Sequence, residues 1–237
     1  MTAIIGRLSL IIAVPFFVLL FTNAKPGIGL AWDFANISGL FSAVFMLILF
    51  IYSGRPLAKP YYDGKFFMNL HRDLGYAATA LAVIHIGILL IKEPLTIEYL
   101  LPSASWTMLS GLWAMILLMF ALPISLPSVR KKIWGTQKSF KRWHYGLSVA
   151  IMLLILLHIV GVGFYIKEIW KVTFLSALAV LITFLPLLPR KPLERGDGPR
   201  KRNTGILASW LTCSFMIVVI LLSAGYALLA NSDLPYE

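Results

Sequence analysis

The residues best able to do chemistry are four histidines, the only ones in a chain of 237 residues. His71 and His85 lie in the apolar run 70–90, LHRDLGYAATALAVIHIGILL. His144 and His158 lie in a second run, 140–163, FKRWHYGLSVAIMLLILLHIVGVG. Each pair is separated by fourteen positions. At about 100° per residue, fourteen steps end roughly 40° short of whole turns, so each pair shares one helix face. A rise of about 1.5 Å per residue places the members of a pair about 21 Å apart, across most of a hydrocarbon core about 30 Å thick. Two such helices side by side would offer two histidine pairs at two depths, each able to clamp one haem iron from both sides. A lone membrane histidine is more often a polar group packed in a bundle; two matched pairs argue for ligation. Other metals fit poorly, because ligands about 21 Å apart cannot share an ion and no Cys, Asp or Glu stands beside a histidine in mid-membrane.

The elements that must position these residues are membrane helices. The chain is 59% hydrophobic and 13% charged, with a mean hydropathy of +0.84, values of a polytopic membrane protein. Its single cysteine, Cys213, excludes an intrachain disulfide and an iron–sulfur cluster built from this chain alone. The net charge of +11 is explained by basic cytoplasmic loops, with no need of nucleic acid as a partner.

Seven apolar spans are expected: 4–21, 34–52, 66–91, 106–126, a fifth carrying His144 and His158, 172–188 and 205–230. Thr22-Asn23-Ala24 resembles a weak cleavage site after the first span, which is read here as a retained helix. Pro123 and Pro127 are expected to close the fourth span. The intervening segments 53–65, 128–142 and 190–202 read as basic loops.

Counting loops alternately puts Arg55, Lys59, Lys65 and the cations of 128–142 and 190–202 on one side, and only Lys25, Lys92, Lys167 and Lys171 on the other. The first side is then cytoplasmic, with the N-terminus inside and the C-terminus outside. The third and fifth spans therefore run in the same direction. His71 and His144 share the inner level, and His85 and His158 the outer one.

Gly75, Ala78 and Ala82 fall on the histidine face of the third span. They leave room for a flat macrocycle or let helices pack closely. Arg72, Lys141 and Arg142 lie beside the inner histidines, where they would pair with haem propionates or serve as positive-inside charge. Trp106 and Trp143 read as interfacial aromatics.

His71-Arg72-Asp73-Leu74-Gly75 opening one helix and Lys141-Arg142-Trp143-His144 opening another, with His85 and His158 downstream, resemble the ferric reductase-like transmembrane domain over about 40–188. The resemblance implies a six-helix core, about 34–188 here, with two b-type haems passing electrons outward. The expected fold is an all-α polytopic bundle, a single transmembrane domain over 1–237, with an additional seventh C-terminal transmembrane helix at 205–230. Reductases of this family carry a flavin and nicotinamide region after the sixth span. Here only 190–202 follows, and no glycine-rich dinucleotide fingerprint occurs. The donor is then a separate cytoplasmic flavoprotein, a quinol or another subunit of a larger complex, and the acceptor a periplasmic protein or small molecule. The expected activity is that of a di-haem b-type cytochrome in a bacterial inner membrane, surrounded by lipid. A quinol-oxidising cytochrome b and a non-redox accessory subunit are the alternatives.

Overall fold

The computed structural model describes residues 2–20, 27–52, 64–163, 165–188 and 204–232. Thr22-Asn23-Ala24, Lys25, Arg55, Lys59 and the basic stretch 190–202 lie outside the described residues. Among those described, all regular structure is helical: α1 (Thr2–Leu20), α2 (Leu30–Ile51), α3 (Gly64–Lys92), α4 (Trp106–Ser125), α5 (Pro127–Trp134), α6 (Gln137–Val162), α7 (Ile169–Phe184) and α8 (Thr204–Ala230), with 3₁₀ turns at Pro94–Leu100 and Leu185–Leu187. Among the described residues, six helical segments are long and apolar enough to cross a bilayer: Leu30–Ile51, Lys65–Lys92, Trp106–Ser125, Gln137–Val162, Ile169–Leu187 and Gly205–Ala230. The first expected span is α1, apolar over Ile5–Val14. The molecule is an all-α polytopic membrane protein.

One expected loop is helical. The run of cations in 128–142 predicts a basic loop, but α5 occupies Pro127–Trp134 and α6 begins at Gln137. Pro127 sits at the start of α5, where its missing N–H costs nothing. It also holds Leu126 extended, at ψ 138°, and so separates α5 from α4. Gly135, at φ +58°, ends α5. Thr136 then caps α6, its hydroxyl accepting from the Ser139 N–H at 3.2 Å. Lys138, Lys141 and Arg142 are therefore on the first turns of α6. At its far end α6 closes on Gly163 in the left-handed conformation, whose N–H donates to the Ile159 carbonyl.

The backbone clusters into two compact units, Met1–Ile88 with Val180–Glu237, and Leu89–Ala179. The first is organised around α2, whose Ile37, Phe41, Phe45 and Ile48 are all buried. Phe16 of α1 stacks on Phe41 at 5.1 Å, and Tyr52 stacks on Phe67 of α3 at 6.0 Å. Polar clasps fasten α8 near both its ends. Near the N-terminus, the Ser209 hydroxyl donates to Asp73 Oδ2 of α3 at 2.6 Å. At the C-terminus, Asn231 Nδ2 donates to Asp33 Oδ2 of α2 at 2.8 Å. Asp33 is 1% exposed and also accepts the N–H groups of Ile28 and Gly29 at 3.0 and 3.2 Å. The Gly27 N–H donates to the Ala230 carbonyl at 2.7 Å, an approach that a Cβ on Gly27 would block.

The second unit is built on α4 against α6; Ala114, Leu118 and Ala121 of α4 and Ile151 and Met152 of α6 are buried. Trp106 and Trp143 are largely exposed, as interfacial aromatics would be. Lys171 is buried and pairs with Glu168 at 3.1 Å.

Candidate ligand site

Each histidine is placed by a long helix and oriented by an earlier long helix of its own unit. In the first unit, α3 turns both its histidines toward α2. His85 Nδ1 lies 2.9 Å from the Ala35 carbonyl oxygen, and His71 Nδ1 lies 3.0 Å from that of Tyr52. In the second unit, α6 does the same toward α4. His158 Nδ1 lies 2.9 Å from the Thr107 carbonyl oxygen, and His144 Nδ1 lies 3.3 Å from Ser125 Oγ.

The partners fix the tautomer. A carbonyl oxygen only accepts, so His71, His85 and His158 must donate from Nδ1–H. Ser125 leads to the same result, because its hydroxyl hydrogen is already given to the Ala121 carbonyl at 2.6 Å. Its oxygen is left to accept from His144. In a neutral imidazole with hydrogen on Nδ1, the lone pair is on Nε2. Four imidazoles therefore hold the same tautomer, the one suited to binding metal through Nε2 with Nδ1–H oriented by an outer partner.

The four are alike in another respect. Ala35 and Thr107 lie near the N-termini of α2 and α4, while Tyr52 and Ser125 lie at their C-terminal ends. Both helix pairs are therefore antiparallel, and each holds one histidine near each end. Among the described residues no three of His, Cys, Asp and Glu come together to bind a metal.

The remaining expected site residues fall as follows. Gly75 and Ala78 are buried against α2: a Cβ on Gly75 would meet Leu49 Cδ1 at 4.0 Å, and the Ala78 carbonyl accepts from the Ser42 hydroxyl at 2.8 Å. Both lie where α3 meets α2. Ala82 is partly exposed. Arg72 is exposed and spends two nitrogens, Nε and Nη2, on Asp73 Oδ1 at 2.8 Å each. Lys141 and Arg142 are exposed on α6, and Cys213 is exposed on α8. Above His144 is a stack that sequence reasoning missed. Phe140 lies on the His144 ring at 5.2 Å and 22°, with the Arg130 guanidinium 5.1 Å from the Phe140 centroid.

The orienting residues Ala35, Tyr52, Thr107 and Ser125 also went unnoticed. The signal available for two of them was an internal repeat, Ser38-Gly39-Leu40-Phe41 and Ser110-Gly111-Leu112-Trp113, each just after its acceptor carbonyl.

Residues 38–155 match the family model described as ferric reductase like transmembrane component. The matched stretch runs from within α2 to within α6 and includes His71, His85 and His144. No curated protein and no solved structure matches the chain.

Proposed function

Because the chain belongs, through residues 38–155, to the ferric reductase-like transmembrane family, and so is a membrane electron-transfer component, we propose that it is a di-haem b cytochrome. Its ligand pairs are His71 with His144 and His85 with His158. The observation that carries this reading is the shared tautomer: all four imidazoles commit Nδ1–H to a protein acceptor, and that leaves Nε2 as the ligating nitrogen.

The donor set fits haem. Two imidazoles per iron would hold a b-type haem, which would supply reversible one-electron chemistry there. The protein's part would be to hold two rings from each helix pair at two levels of the membrane. The level assignment follows from the charge asymmetry of the loops, which puts the N-terminus in the cytoplasm and the C-terminus outside a bacterial inner membrane. The donor side is the inner one, next to the cations of α5 and the start of α6. A separate flavoprotein or quinol supplies electrons there, and a periplasmic protein or small acceptor takes them at the outer level. Ala82 leaves space along the α3 face, and Lys141 and Arg142, exposed on the first turns of α6, are the cations that would meet propionates at the inner level.

The test is a pyridine haemochrome assay on the purified chain, with an optical difference spectrum. About two haems b per polypeptide are expected from two ligand pairs. One haem would make one histidine pair structural, and none would end the reading.

A further inference from the structure

The outer histidines are held by a device that occurs twice. In an α-helix each Cβ leans toward the N-terminus, so a side chain covers the carbonyl about one turn earlier. Position 39 covers the Ala35 carbonyl, and position 111 covers that of Thr107. Both positions are glycine, and both carbonyls accept from a histidine of the neighbouring helix. A Cβ built on Gly39 would lie 2.9 Å from Cγ and Nδ1 of His85; on Gly111 it would lie 2.7 Å from Nδ1 of His158 and 2.9 Å from its Cε1. Approaches this short do not persist, so one of the groups must move.

The part able to move is the imidazole. At the second site, Gly161 of α6 packs against the Thr107 side chain so closely that a Cβ there would collide with it, so α4 and α6 have no slack. Two glycines on the histidine-bearing helices have open space instead. Gly87 and Gly146 have nothing within 4 Å of a built Cβ. The inner histidines need no glycine, because their acceptors lie at helix C-termini, Tyr52 as the cap of α2 and Ser125 as the last residue of α4. There the final carbonyls and side chains are not covered by a following turn.

We propose that Gly39 and Gly111 are positioning residues for the outer ligand pair, and that α2–α3 and α4–α6 are two copies of one histidine-holding helix pair. A methyl at either position swings the ring off its carbonyl and takes Nε2 with it. The effect on haem rests on the di-haem reading above; the effect on the ring does not.

The experiment uses the full chain in lipid, with Gly39→Ala and Gly111→Ala as variants and Gly87→Ala and Gly146→Ala as controls. Three quantities are read: haem per polypeptide, the low-spin electron paramagnetic resonance signal of each haem, and the ¹⁵N signals of the histidine side chains. The outer signal is identified as the one that His85→Ala abolishes. Gly39→Ala and Gly111→Ala are expected to lower outer-haem affinity about tenfold or more, the usual consequence of losing a ligand-orienting partner. Any outer signal that remains is shifted, the inner signal stays at its wild-type position, and the Nδ1–H resonance of the affected histidine is lost. Wild-type occupancy, signal and Nδ1–H resonance in both variants would overturn the proposal. If Gly39→Ala loses both haems, the double variant with His85→Ala decides: truncating the ring makes room for the methyl, so the inner haem should return to the His85→Ala level, and failure to return would refute the ring-clearing role. A wild-type chain without haem would end the di-haem reading, and the ¹⁵N spectra alone would then decide the role of the glycines.

Discussion

Asn231→Ala and Asp33→Ala should together show how firmly α8 is tied to α2. Asp33 is 1% exposed, and its Oδ2 accepts three donors, from Ile28, Gly29 and Asn231, at 3.0, 3.2 and 2.8 Å. A hydrogen bond to a charged group contributes about 1.5–3 kcal/mol net when buried. Ile28 is half exposed, so the two backbone donors can turn to water and recover part of their loss. Asn231 is also exposed and keeps a second bond to the Ala227 carbonyl at 2.8 Å. These offsets put Asp33→Ala at about 3 kcal/mol and Asn231→Ala at about 1 kcal/mol, with a coupling of about 1 kcal/mol between them. Asp33→Asn keeps the shape and one acceptor oxygen and should cost about 1 kcal/mol. Reversible unfolding in mixed micelles, followed by circular dichroism, measures all four variants including the double one. If Asn231→Ala unfolds with wild type, and Asp33→Ala costs the same with or without it, α8 is not held through this bond and the reasoning fails.

His71→Ala should remove only the inner haem and His85→Ala only the outer one, as read by two resolved potentials in a redox titration; loss of the same signal from both would refute the level assignment. Neutralising Arg130, Lys131 and Lys132 together should slow reduction by an acidic soluble flavin reductase and flatten its salt dependence, because screening shortens from about 10 Å at 0.1 M to about 3 Å at 1 M salt. Wild-type rates at every salt concentration, in a variant that inserts correctly and keeps its haem, would show that these three cations do not receive the donor.

The histidine pairs and the apolar helices were legible because both are periodic. Membrane spans are long, and fourteen residues return to nearly the same helix face. α5 was not legible, because a run of cations carries the same composition in a loop and in an eight-residue helix. What makes it a helix is Pro127 at its start and Gly135 after its end. The acceptors of the histidines were invisible for a different reason. Every residue has a carbonyl, so Ala35, Tyr52 and Thr107 carry no mark of their use. Only the glycine one turn on records it, at Gly39 and Gly111. The Asp33–Asn231 clasp joins residues 198 positions apart, and nothing local to either residue announces the other. Arg72 was read as an available cation, and its immediate neighbour Asp73 takes both of its bonds.

The choice of backbone carbonyls behind three of the imidazoles bears on the movement of protons. A carboxylate in that place can draw the Nδ1 proton toward itself when the charge on the ligated metal changes. An amide carbonyl holds the same hydrogen bond but is far too weak a base to take the proton, and the Ser125 hydroxyl is no better. Electrons crossing between the two levels would leave the ligands' protons where they are. If the four imidazoles hold haem as proposed, the chain would move electrons without using its ligand imidazoles to take up protons.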